Sequence, residues 1–158
     1  MHVKSLMLLS FILVFILYFI FSSFILPSKS EKIEDAYVLK VIDGDTIKVL
    51  IGNKMESVRF VGINAPETNE CYWKEAKEYV ERRLSMKKVK LVYDYHSKID
   101  RYGRILAYVY VDGVDFGREL LEKGYVRVFE KYPFDKMKEY IELQEKSAQE
   151  KKGLWSAC

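Results

Sequence analysis

Residues 37–63 limit what this chain can become more than any other stretch. Tyr37 to Ile42 and Thr46 to Ile51 are rich in β-branched residues, and only Asp43-Gly44-Asp45 separates them. Gly52-Asn53 marks a tight turn into a third run, Glu56 to Ile63, where Val58, Phe60 and Gly62 alternate with Arg59 and Val61. Alternation of period two between Gly/Asn/Asp turns is the pattern of antiparallel strands joined by hairpins. Three such strands in a row form a meander.

The rest of the chain supplies further strands and at least three helices. Trp73, Ala76, Val80 and Leu84 recur at helical spacing, so residues 73–86 are expected to be an amphipathic helix. Lys88 to Tyr93 alternates as a half-buried strand, and Arg104 to Val111 is another, closed by Asp112-Gly113. Asp115 is suited to cap a short helix that Gly124 ends. Val126 and Val128 suggest a brief strand. Residues 134–152 read as a last helix with Phe134, Met137, Ile141 and Ala148 on one stripe. About five strands, with a helix inserted after the third, fit a small closed or partly open β-barrel with helices, an α+β arrangement best matched by the OB-fold.

The barrel does not account for the whole chain. Leu6 to Leu26 has no charge, no Gly and no Pro. At about 1.5 Å per residue it would span roughly 31 Å, the hydrocarbon thickness of a bilayer. A signal peptide is the rival, since Lys4 gives a basic start, but its apolar region is shorter and no A-x-A-like site follows. The expectation is one transmembrane helix or signal segment at 1–26, a linker at 27–34 and a barrel domain at 35–158. The membrane partner is then residues 6–26, with the domain outside the cytoplasm, or secreted if the segment is cleaved. Lys4 and the terminal amine on one side balance Lys29 and Lys32 on the other, so the basic residues alone do not set the orientation.

The 158-residue length fits one domain plus an appendage and excludes a multidomain enzyme. Lys4 is the sole Lys, Arg, Asp or Glu before residue 29, so the remainder of the chain sets 25 bases against 23 acids. That is no bulk basic field, and an anionic substrate must be held by a few placed arginines.

Four pieces carry chemistry: Asp43-Gly44-Asp45-Thr46, Arg59, Gly62-Ile-Asn64-Ala-Pro-Glu67 and Asp100-Arg-Tyr-Gly-Arg104. In this order and spacing, with a closing Gly153-Leu-Trp155, they resemble the staphylococcal nuclease (thermonuclease-like) family over roughly residues 36–156. The resemblance implies a calcium-dependent nuclease that hydrolyses DNA and RNA with little sequence preference and leaves 3′-phosphates. It implies calcium ligation by Asp45, Asn64 and the Ala65 carbonyl. It implies Glu67 as general base or water-orienting carboxylate, Arg59 and Arg104 as phosphate clamps, and Tyr102 in contact with bound nucleotide. Asp43 is either a turn former or a helper to the metal site.

Phosphodiester hydrolysis needs such parts. A hard cation with oxygen ligands polarises the phosphoryl group, a carboxylate orients water and takes its proton, and guanidinium forks stabilise the growing charge. The sequence departs from the family pattern at Asn64, where an aspartate is usual. The amide keeps an oxygen ligand but removes a charge, so weaker calcium binding is expected. The alternative reading is a non-catalytic, membrane-tethered OB-fold module that binds nucleic acid or protein. Single-stranded substrate is expected for one OB-type groove, and the protein is expected to be monomeric. His96 and the lysines Lys87, Lys88 and Lys90 receive no role. The two cysteines, Cys71 and Cys158, form no metal motif, and outside the cytoplasm they are expected to pair.

Overall fold

The computed structural model describes residues 32–158 and Phe15. The segment expected as a membrane anchor, 6–26, lies outside the described residues apart from Phe15. Among the described residues no helix is long and apolar enough to cross a membrane. The chain divides into two units, Met1–Ser30 and Glu31–Cys158, and the second holds the barrel.

Five strands close into that barrel. They are β1 (Ile33–Val41), β2 (Thr46–Ile51), β3 (Lys54–Phe60), β5 (Lys88–Tyr93) and β6 (Ile105–Val111). The sheet order is β3-β2-β1-β5-β6, and β3 pairs in parallel with β6 through Val58↔Ile105 and Arg59↔Leu106, which closes the ring. Val38, Val49, Val58, Ile47 and Leu91 point inward with no exposure. Burying each contributes about 1.5–3 kcal/mol.

The first strand begins earlier than its β-branched run. Residues Ile33 to Tyr37 pair with β5, so the expected linker at 27–34 gives way to strand at Ile33. The third run ends at Phe60 rather than Ile63. Gly62 turns there with φ +74°, and Ile63–Asn64 forms a separate two-residue β4. This short strand pairs with β8 (Arg127–Val128), as Ile63↔Val128 and Asn64↔Arg127.

Helix α1 (Trp73–Leu84) buries Ala76, Val80 and Leu84, the spacing expected of its apolar face. β6 turns at Asp112-Gly113, both with positive φ, into β7 (Val114–Asp115). Asp115 accepts from the Arg118 amide and caps α2 (Phe116–Glu122). Helix α3 runs Met137–Gln149, shorter than the expected 134–152, and a further helix α4, Leu154–Ala157, closes the chain.

The buried stripe of α3 is also rotated from the expectation. Tyr140 and Ser147 are the buried positions, while Ile141 and Ala148 are only half-buried. The reason is polar: the Tyr140 hydroxyl donates to Asp115 at 3.0 Å, and Lys136 Nζ lies 2.6 Å from the same carboxylate. An apolar stripe cannot reveal a buried tyrosine chosen for its hydroxyl.

Candidate active site

The β1–β2 turn builds the floor. Asp45 donates its amide to Asp43 Oδ1 at 3.0 Å, an Asx-type turn. A Cβ on Gly44 would sit 2.6 Å from the Ala65 Cβ, so the turn can press against the 61–67 loop only because residue 44 is glycine. The Asp45 carboxylate is buried, at 6% exposure. It accepts from the Ala65 amide at 2.6 Å and from Thr46 Oγ1 at 3.0 Å.

Arg59 reaches this carboxylate from β3, with Nε 3.1 Å from Asp45 Oδ1. Its Nη1 donates to the carbonyls of Phe60 (3.0 Å) and Ile63 (2.7 Å), and Nη2 donates to Asn64 Oδ1 at 2.9 Å. A strand position between inward residues reads as solvated, but Arg59 is mostly buried because the 60–65 loop folds over it and turns its acceptors onto the guanidinium. Among the described residues most of the fork is committed inward, and one Nη2 hydrogen is left for a ligand.

Arg104 is arranged differently. Its Nε donates to Asp100 Oδ2 at 2.7 Å, and the same carboxylate accepts from the amides of Tyr102 (2.9 Å) and Arg104 (3.0 Å). Among the described residues both terminal nitrogens stay available. Tyr102 is 68% exposed, its hydroxyl accepts from Arg101 at 2.6 Å, and the Arg101 and Arg104 guanidiniums lie 4.7 and 5.3 Å from its ring centre. Asp100 belongs to the same motif, and its spacing of four from Arg104 is the sequence signal for this pairing.

A cleft of about 750 Å³ brings these groups together: Asp43, Asp45, Arg59, Asn64, Glu67, Tyr102 and Arg104 all line it. Phe129, Lys131, Tyr132 and His96 line it as well, and sequence reasoning singled out none of them for it. The Phe129–Tyr132 segment arrives only when β8 pairs with β4. Ala65 does not line this cleft. It faces two adjoining hollows instead, of about 500 and 170 Å³. Glu67 is exposed, and among the described residues its carboxylate makes no hydrogen bond or ion pair.

Burial pushes the Asp45 carboxyl up to about 6, although the Arg59 charge pulls the other way; Asp43 adds to the rise. Burial likewise lowers Arg59, against the pull of Asp45. The nearby donors are all oxygen: Asp45, Asp43, the Asn64 amide and the Ala65 carbonyl. That set fits a hard ion such as calcium. Asn64 is the weak point, because its oxygen faces Arg59 and its Nδ2 donates to the Ala65 carbonyl at 3.3 Å.

Fold and site together define an OB-type barrel protein with a carboxylate and arginine cleft at the barrel rim. The family model described as staphylococcal nuclease homologue matches residues 57–157. A thermonuclease of Staphylococcus hyicus is 39% identical over 142 residues, covering 82% of this chain and 83% of that protein. Endonuclease YncB of Bacillus subtilis is 36% identical over 134 residues, covering 80% of this chain and 64% of that protein. The chain belongs to the staphylococcal nuclease homologue family.

Proposed function

We propose that the protein is a calcium-dependent phosphodiesterase that hydrolyses DNA and RNA with low sequence specificity. The observation that carries this reading is the convergence of Asp45, Arg59, Asn64, Glu67, Tyr102 and Arg104 on one cleft. Relatives named thermonuclease and endonuclease support it.

Asp45, Asn64 and the Ala65 carbonyl would hold the ion. The chemistry a hard divalent cation supplies when bound there is Lewis-acid polarisation of a phosphoryl oxygen. Arg104 offers both terminal nitrogens to two phosphate oxygens and strengthens its hold as charge develops on them. Arg59 gives its remaining Nη2 hydrogen to the same phosphate and chiefly keeps Asp45 and the 60–65 loop in register. Glu67, exposed to the cleft, orients a water and takes its proton as the water attacks phosphorus. Tyr102 stacks on a base, which favours unpaired substrate. Breaking of the P–O5′ bond, with the departing O5′ taking a proton from solvent, would leave a 3′-phosphate and a 5′-hydroxyl. The protein acts as a monomer, anchored by residues 6–26 with its barrel outside the cytoplasm, or secreted after cleavage of that segment.

One observation favours a second reading, a membrane-tethered module that binds nucleic acid or protein without cutting. Asn64 spends its oxygen on Arg59 and donates from Nδ2 to the Ala65 carbonyl, and Asp45 already accepts from Thr46, Ala65 and Arg59, so all three proposed ion donors are engaged within the protein.

Wild type, Glu67→Gln and Arg104→Ala separate the two. The enzyme reading expects cleavage of single-stranded DNA and RNA by wild type, with losses of about 100-fold or more in each variant. Oligonucleotide binding with no cleavage by any of the three supports the module.

A further inference from the structure

The Glu67 carboxylate makes no hydrogen bond or ion pair among the described residues, so its position is set by its backbone. That backbone is a short exposed loop, 67–72, leading into α1. Glu70 donates its amide to the Glu67 carbonyl at 2.8 Å, and the Glu67 amide donates to Glu70 Oε2 at 2.7 Å. Two residues of this loop that are not glycine, Asn69 and Tyr72, hold left-handed backbone at φ 75° and 73°. Asparagine tolerates this; tyrosine does not, and such a conformation persists only where its surroundings impose it.

Two contacts impose it here. The Tyr72 ring stacks on Tyr125 at 5.7 Å between ring centres. The residue before it, Cys71, is disulfide-bonded to Cys158, with 5.9 Å between the Cα atoms.

The far end of that bridge is a fixed post. Leu154, at the start of α4, is buried, and its amide donates to the Gly124 carbonyl at 2.8 Å. Arg127 lies over the Trp155 ring, 4.4 Å from its centre, and Arg127 pairs with Asn64 across β8 and β4. Thus α4 is tied to the site from one side through Trp155 and from the other through the disulfide. The bridge lines a hollow of about 500 Å³ together with Asn64, Ala65, Pro66 and Arg127. Cys71 and Cys158 are both exposed, so a reductant can reach them.

The geometry points to the Cys71–Cys158 disulfide as the positioning element for Glu67: reduction frees the 67–72 loop and slows cleavage while leaving substrate binding intact. This rests on the nuclease reading above. A dithiol is the reductant required. One of its thiolates attacks a bridge sulfur, the bond breaks, and the departing thiolate takes a proton. The second thiol then releases the other cysteine and closes the reductant's own disulfide.

The test uses the full chain, oxidised and dithiol-reduced, as wild type and as Glu67→Gln. Steady-state cleavage of a single-stranded oligonucleotide is measured alongside hydrogen exchange at the Glu67 and Glu70 amides. The expected result is a fall in kcat of about tenfold or more on reduction, with KM within about twofold. Exchange should rise across 67–73 and stay unchanged in β2. In Glu67→Gln, reduction should cause little further loss. Equal activity of oxidised and reduced wild type overturns the inference. So does an equal proportional fall in both proteins, which marks a general loss of structure. If oxidised wild type does not cleave at all, the nuclease reading fails, and exchange alone decides whether the bridge orders the loop: unchanged exchange at 67–73 overturns that too.

Discussion

Arg59 Nη2 donates to the Asn64 amide oxygen at 2.9 Å, joining the end of β3 to β4 across the floor of the cleft. The aspartate usual in the resembling family at position 64 would accept the same bond and also bring a charge to the proposed ion site. Asn64→Asp is therefore expected to keep Arg59 in place and raise calcium affinity by about tenfold, one charged ligand's worth. Isothermal titration calorimetry reads this directly. Unchanged affinity would mean that residue 64 is not a ligand.

The two arginines should separate in stability. Arg59 and Asp45 form a pair whose side chains are 12% and 8% exposed. Removing one partner leaves the other charge buried, at a cost of about 3–5 kcal/mol. Arg104 sits with Asp100 at 29% and 15% exposure, closer to solvent, and its loss should cost about 1 kcal/mol. Urea unfolding of Arg59→Ala and Arg104→Ala checks the order. Equal losses would contradict the inward commitment of Arg59.

Tyr102 is exposed and its ring rests on neighbouring arginines, so truncating it should not disturb the barrel. Tyr102→Ala is expected to weaken single-stranded oligonucleotide binding by about tenfold, within the roughly 1–3 kcal/mol of a base stack. The melting temperature should stay within about a degree. Fluorescence anisotropy with a labelled oligonucleotide, paired with a thermal scan, tests both halves.

Away from the site, Glu119 should make the fold acid-sensitive. Arg83 Nε and Nη2 donate to its carboxylate at 2.9 and 3.0 Å, and Tyr79 also donates to it. These bonds, Arg83 foremost, hold the Glu119 carboxyl below its ordinary value against the opposing effect of burial. The stabilisation is present above the unfolded pKa and lost as pH falls through the folded one. Between about pH 5 and 3, wild type should lose more stability than Glu119→Gln. Parallel acid-side losses would show that Glu119 contributes nothing.

What the sequence could disclose depended on the range of the interaction. The bounds of β2 and β5, the buried face of α1, the Asp115 cap and the Asp112-Gly113 turn all reflect local pattern, and each was legible. The extension of β1 to Ile33 comes from pairing with β5, 53 to 59 residues on. The rotated stripe of α3 comes from the Tyr140 hydroxyl seeking Asp115. Within the site, ordered motifs named the residues, and the cleft gathers all of them but Ala65. The division of labour between the arginines was not legible, because the carbonyls that hold Arg59 arrive with a loop folded over it. The contribution of Phe129 and Tyr132 was hidden in the same way, since only the β4–β8 pairing brings that segment to the cleft.

The cleft is expected to cut nucleic acid by metal-assisted hydrolysis. The most direct measurement is nuclease activity of the purified full chain on single-stranded DNA and RNA across a calcium titration, with a chelator control. Cleavage should rise with calcium and stop with chelator. Folded protein that binds the oligonucleotide but cuts nothing at high millimolar calcium would contradict the claim.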